Sequence, residues 1–191
     1  MVTPPSYESR QFERRPGIRP RQTLGRRLDA ASRAALPAAI AVVLLLLLHA
    51  PLGLPAQPAL LLGAELACVF YWSLFLPRVM PSPVVFVLGL LVDLLGTGPL
   101  GLSVVLLLIA HVAGIAWRQA LMRQGALVIW LVFAGVAALC CLIEWLATML
   151  LEWRLLPPGS AALQFGFALG EYLVLSGPFA WCMRVVARPH G

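Results

Sequence analysis

Six apolar runs dominate the chain, at about residues 34–52, 58–76, 79–95, 100–117, 125–151 and 161–184, with proline, glycine or arginine between them. Hydrophobic residues make up 61% of the sequence and charged residues 12%, against roughly 45–50% and roughly 25% in a soluble domain. With so few charges, the chain cannot cover its own apolar surface. The runs therefore read as membrane-crossing helices, which need roughly 20 residues and tolerate roughly 17. By that measure the third and fourth runs are marginal singly and too long together for one helix. Between them lies GTGPLG, Gly96 to Gly101, where Pro99 lacks an N–H and the glycines suit a tight reversal. The expected fold class is an all-α membrane protein of six transmembrane helices, with a helical hairpin between helices three and four.

The organisation follows from the same pattern. Residues 1–33 carry Pro4, Pro5, Pro16, Pro20 and eight arginines against Glu8, Glu13 and Asp29, too little apolar content to bury. They read as a disordered basic tail, whose Leu24, Leu28, Ala31 and Ala35 have the spacing of a short helix lying on anionic lipid headgroups. Residues 34–187 form the six-helix domain, and 188–191 a short cytoplasmic tail. So long a polar stretch before the first apolar run is unlike a secretory signal, so the mature chain is expected to be the whole chain.

All 14 basic residues are arginine, giving a formal charge of +6. With the N-terminus inside, the tail, Arg78, Arg118, Arg123, Arg184 and Arg188 lie on the cytoplasmic side, 13 of the 14, and only Arg154 lies outside. Arginine excess marks cytoplasmic loops, so the expectation is a multi-pass protein of the bacterial inner membrane with both termini cytoplasmic. No feature points to nucleic acid.

Ionisable residues inside membrane spans are functional candidates, because burying them in hydrocarbon is costly. On this topology Glu65 lies about a third of the way in from the outer end of helix two, and Asp93 near the outer end of helix three. Glu144 falls in the outer third of helix five, Glu171 near mid-depth of helix six, and His111 in the inner half of helix four. Asp93 precedes a turn whose freed N–H groups need acceptors, as does the N-terminus of helix four. Gly89, Asp93 and Gly96, at i, i+4 and i+7, share a face along which a neighbouring helix can approach closely, which turns the acid toward protein. Glu144 has Thr148 one turn away, and Glu65 is near enough to the interface to snorkel. Glu171, with Gly166, Gly170 and Gly177 nearby, reads equally as an interhelical hydrogen bonder or as part of a polar cavity. His111 reads as a satisfied intramembrane hydrogen bonder.

Catalytic sets are sparse. HExxH, GxSG and a P-loop are absent, and Ser103 and His111 are eight residues apart on one helix, about 12 Å along its axis. Cys68, Cys140, Cys141 and Cys182 sit in apolar runs without CxxC spacing and read as small buried hydrophobes. Neither a metal nor an organic cofactor is expected.

The segment Tyr71 to His111, YWSLFLPRVMPSPVVFVLGLLVDLLGTGPLGLSVVLLLIAH, resembles the bacterial rod shape-determining protein MreD family. The resemblance rests on Tyr71 and Trp72 at a helix end, on Pro77, Arg78 and Pro81 around a cytoplasmic turn, on Gly89 four before Asp93, and on the turn ending in Pro99, Leu100 and Gly101. It implies a non-enzymatic subunit of the cell-elongation machinery. The implied partners are the single-span protein MreC and, through it, the MreB filament and the peptidoglycan synthases, the glycosyltransferase RodA and a class B transpeptidase. It also implies similarity in fold to the substrate-binding subunits of energy-coupling-factor transporters. A competing expectation is a small-solute-binding subunit or transporter in which Glu65, Glu144 and Glu171 face one another across a water-filled pocket.

Overall fold

The computed structural model describes residues 38–47, 57–96, 98–153 and 157–186. The basic tail, the last residues from 187, and the arginines at 154 and 188 used in the orientation argument lie outside them. Among the described residues every regular element is helical: α1 (Ala38–Leu47), α2 (Gln57–Phe75), α3 (Ser82–Leu95), α4 (Leu102–Ala116), the single turn α5 (Arg118–Leu121), α6 (Ala126–Glu152) and α7 (Pro158–Val186).

Among the described residues, α6 alone combines the length and apolar composition of a membrane span, over Ala126–Leu151. The helices α3 and α4, with 14 and 15 residues, are about 21 and 22 Å long at 1.5 Å per residue. Each is shorter than its apolar run because the punctuation reaches further in than composition suggests. Pro83 sits in the first turn of α3, where its missing N–H costs nothing, and α3 stops when Gly96 turns to extended backbone. Gly101, at φ +93°, precedes α4 in the left-handed region that only glycine enters without strain.

The organising element is α2. Its residues from Leu62 to Leu74 are buried throughout, as expected of a helix that is apolar all round, and α4, α6 and α7 pack against it. Where facing helix surfaces are apolar on every side, closeness of fit decides how they pack. Glycine provides that fit at three seams. A Cβ at Gly89 would lie 2.6 Å from the Val104 Cα, joining α3 to α4 backbone to backbone. At Gly114 of α4 it would lie 3.0 Å from the Ser73 Cβ of α2, and at Gly63 of α2 it would lie 2.9 Å from the Ala168 Cα of α7. Aromatic rings fill the centre between α2, α6 and α7: Phe133 stacks on Tyr172 at 4.4 Å and Phe70 tilts against Phe133 at 5.5 Å.

The outward faces are apolar as well. Phe86, Val87, Leu90 and Leu94 on α3, Leu142, Leu146 and Leu150 on α6, and Leu173 and Val174 on α7 are all exposed. Water-soluble monomers rarely expose apolar patches beyond a few hundred Å².

Candidate functional site

The hairpin of α3 and α4 carries the segment singled out in the sequence, and polar bonds pin it at both ends. At its turn, Asp93 is only 5% exposed and receives two backbone donors. The Gly101 N–H donates to Asp93 Oδ2 at 2.8 Å, and the Ser103 N–H donates to Oδ1 at 3.0 Å. The first N–H groups of a helix have no intrahelical partner, and a carboxyl group at this positive end suits both their geometry and the helix dipole. Asp93 thus caps α4 from the end of α3, eight and ten residues away in sequence.

The face expected to receive a neighbouring helix is already covered. Gly89 and Asp93 look onto α4 of the same chain, so they do not offer an open surface to a partner. Gly96 is not in the close contact with α4: a Cβ there would meet only the Val92 carbonyl and the Gly98 N within 4 Å. The helix ends one residue before it, and Gly96 is an exposed cap whose N–H donates to the Val92 carbonyl at 2.8 Å. Pro99 is half-buried within the turn, and its carbonyl accepts the Leu102 N–H at 3.3 Å.

The opposite end of the hairpin is held by His111, 1% exposed. Its Nδ1 lies 2.7 Å from Ser73 Oγ on α2, and its Nε2 lies 3.1 Å from Ser82 Oγ at the start of α3. In a neutral imidazole one nitrogen donates and the other accepts, so each tautomer satisfies both serines in opposite senses. One ring ties three helices together. The Ser73–His111 distance is that of a nucleophile and its base, but both side chains are enclosed and the second ring nitrogen faces a serine where a triad would place a carboxylate. Close by in the chain, Arg118 Nε donates to the Leu74 carbonyl at 3.0 Å, placing a cation on the negative end of α2.

Ser73, Ser82 and Arg118 escaped the sequence reading as members of this knot. Serines give no signal in an apolar run, and the residues that meet here are 29 to 44 positions apart. Replacing His111 by leucine leaves the buried Ser73 hydroxyl and the more exposed Ser82 hydroxyl without this partner, and a hydrogen bond of this kind contributes about 0.5–1.5 kcal/mol. A loss of about 1–2 kcal/mol is expected in detergent unfolding of His111→Leu, with a smaller loss for Ser73→Ala.

The remaining acids go separate ways. Glu65 does not snorkel: it is fully buried on the central helix, and neither carboxyl oxygen has a hydrogen-bond partner among the described residues. Glu144 Oε2 accepts a hydrogen bond from Gln164 Nε2 of α7 at 2.6 Å, and Thr148 Oγ1 donates to the Glu144 backbone carbonyl at 2.8 Å, leaving the carboxyl alone. Glu171 reaches across the α7–α2 seam, where a Cβ on Gly63 would collide with its Oε2. It lines a groove of about 330 Å³ with Leu44, Ala64 and Gly170 among the walls, and neither Glu65 nor Glu144 lines that groove. The shared pocket expected of a solute binder therefore does not form around these three acids in the groove beside Glu171. Cys68, Cys140 and Cys141 are buried thiols, and Cys182 is partly buried. Among the described residues no group of three His, Cys, Asp or Glu is placed to hold a metal ion.

No protein-family model, curated protein or solved structure matches this chain.

Proposed function

We propose that this chain is a multi-pass scaffold of the bacterial inner membrane, a non-enzymatic member of the MreD group that serves the rod-shape peptidoglycan synthesis complex. The observation that carries this reading is the α3–α4 hairpin, in which part of the residues behind the resemblance, Gly89, Asp93 and the turn from Pro99 to Gly101, form one pinned unit. Gly89 sets the helix contact, Asp93 caps the return helix, and Gly101 makes the turn. Six spans with both termini inside agree with the arginine distribution and with apolar outward faces on the helices. The short α3 and α4 then cross by local thinning of the bilayer or by displaced flanking residues. The Arg-rich tail adds contact with anionic lipid or cytoplasmic partners.

On this reading the protein works by holding other membrane subunits together, with MreC as the direct partner and MreB, RodA and the class B transpeptidase reached through it. Co-expression of the tagged chain with MreC, followed by extraction in mild detergent, is expected to recover the two as a stable complex. Recovery of the chain alone, with MreC in the flow-through, would sink the scaffold reading.

A further inference from the structure

A groove opens along α7, and three helices wall it. Gly166, Gly170, Glu171 and Val174 line it from α7, where their spacing places them on one helix face. Ala64 of α2, only 2% exposed, lies at its base, and Leu44 of α1 closes another side. Its volume, about 330 Å³, falls at the lower end of the roughly 300–1,000 Å³ typical of small-molecule sites. Along α7 it runs from Gly166 to Leu175, about 14 Å at 1.5 Å per residue, which is short for a membrane helix about 30 Å long.

Two glycines make the room. A Cβ at Gly166 or Gly170 would meet nothing within 4 Å, so each position faces open space. Among the described residues that line the groove, Glu171 is the one with a polar side chain. Its Oε2 is turned onto Gly63, is buried and accepts no hydrogen bond in the structure. An enclosed acceptor without a donor is costly, and a carboxylate in apolar surroundings needs a counter-charge as well. No neighbour along the groove brings either.

We infer that this groove binds a small lipophilic amine, its hydrocarbon body over Ala64 beside Gly166 and Gly170, and its ammonium on the Glu171 carboxyl. An ammonium supplies three donors and the opposite charge. A hydrocarbon or acyl chain would fill the same space and leave the carboxyl orphaned, and an anion would meet it with like charge. The carboxyl therefore selects the head of the ligand, and the glycines admit its body. No partner chain takes part, so the site stands apart from the proposed scaffold role.

The full chain, purified in mild detergent, is titrated with adamantan-1-amine, adamantan-1-ol and adamantane-1-carboxylate, three probes of similar shape and different charge. Binding is read from the rise of the unfolding midpoint with probe concentration. The amine is expected to bind about tenfold more tightly than the alcohol, the margin of a charged over a neutral hydrogen bond, and the carboxylate not measurably. Glu171→Gln keeps the shape of the groove and should bring the amine down to the affinity of the alcohol. Gly170→Leu fills the groove and should abolish binding of both, with Gly166→Leu as a second filling variant. Leucine also favours helix over glycine, and circular dichroism checks that both variants fold. Equal affinity of wild type for the three probes, no saturable shift with the amine, or undiminished amine binding by Glu171→Gln or by both leucine variants would overturn the site. Recovery of MreC is scored separately, so a failure here leaves the scaffold reading to its own test.

Discussion

Replacing Gly89 by leucine is expected to open the α3–α4 hairpin and to cost about 3 kcal/mol or more, the upper range for overpacking in a close-packed interior. The atoms a Cβ would meet are the Val104 Cα at 2.6 Å and the Val104 N at 3.0 Å. Both belong to the backbone of α4, so no rotamer change relieves the clash and one helix must move. Movement is constrained at both ends, because Asp93 holds the turn and His111 holds the far end. Even alanine at this position should destabilise, by less than leucine. Gly98, whose Cβ would meet nothing within 4 Å, is the control and should accept alanine with little change. The measurement is the unfolding midpoint of purified protein in detergent, and wild-type stability of Gly89→Leu would contradict the close contact.

Asp93→Leu should cost about 2–4 kcal/mol, since it removes the acceptors of two backbone N–H groups and each orphaned donor costs about 1–3 kcal/mol. Asp93→Asn keeps one carbonyl oxygen able to accept from Gly101 or Ser103, so it should retain the fold and lose roughly half as much. The ordering Asp, then Asn, then Leu distinguishes capping from packing, because Asn and Leu are similar in size. Equal unfolding midpoints for the two variants would show that the caps contribute nothing. If the proposed scaffold role holds, a loosened hairpin should also recover less MreC on co-purification, with Asp93→Leu losing more than Asp93→Asn.

Much of this site is legible in the sequence because its parts are close together in the chain. Asp93, Pro99 and Gly101 lie within nine positions, and an acid before a glycine-rich turn has nearby N–H groups to serve. Gly89 is readable for the same reason, being one turn from the acid. Gly96 is the C-cap of α3, and a Cβ there would meet only the Val92 carbonyl and the Gly98 N, so the close approach of α4 at Gly89 does not extend to it. The knot at His111 was legible only as a need for partners. Which serines meet that need depends on how α2, α3 and α4 pack, and nothing local to Ser73 or Ser82 records it.

The acids divide in the same way. Hydropathy places Glu65, Glu144 and Glu171 at depth in an apolar chain, but depth says nothing about direction around a helix. Packing buries Glu65 in the central helix, pairs Glu144 with Gln164, and sets Glu171 against Gly63 beside a groove. By itself the sequence determines an all-helical chain with an apolar exterior and a hairpin at Gly96–Gly101, because these follow from composition and from the short reach of turn chemistry. Only the tertiary structure decides that α2 is the core and that the Gly89–Asp93 face is spent within the chain. Those outcomes depend on which helix faces fit one another most closely, and in an interior where every surface is apolar that fit is set by the positions of a few glycines and hydrogen bonds.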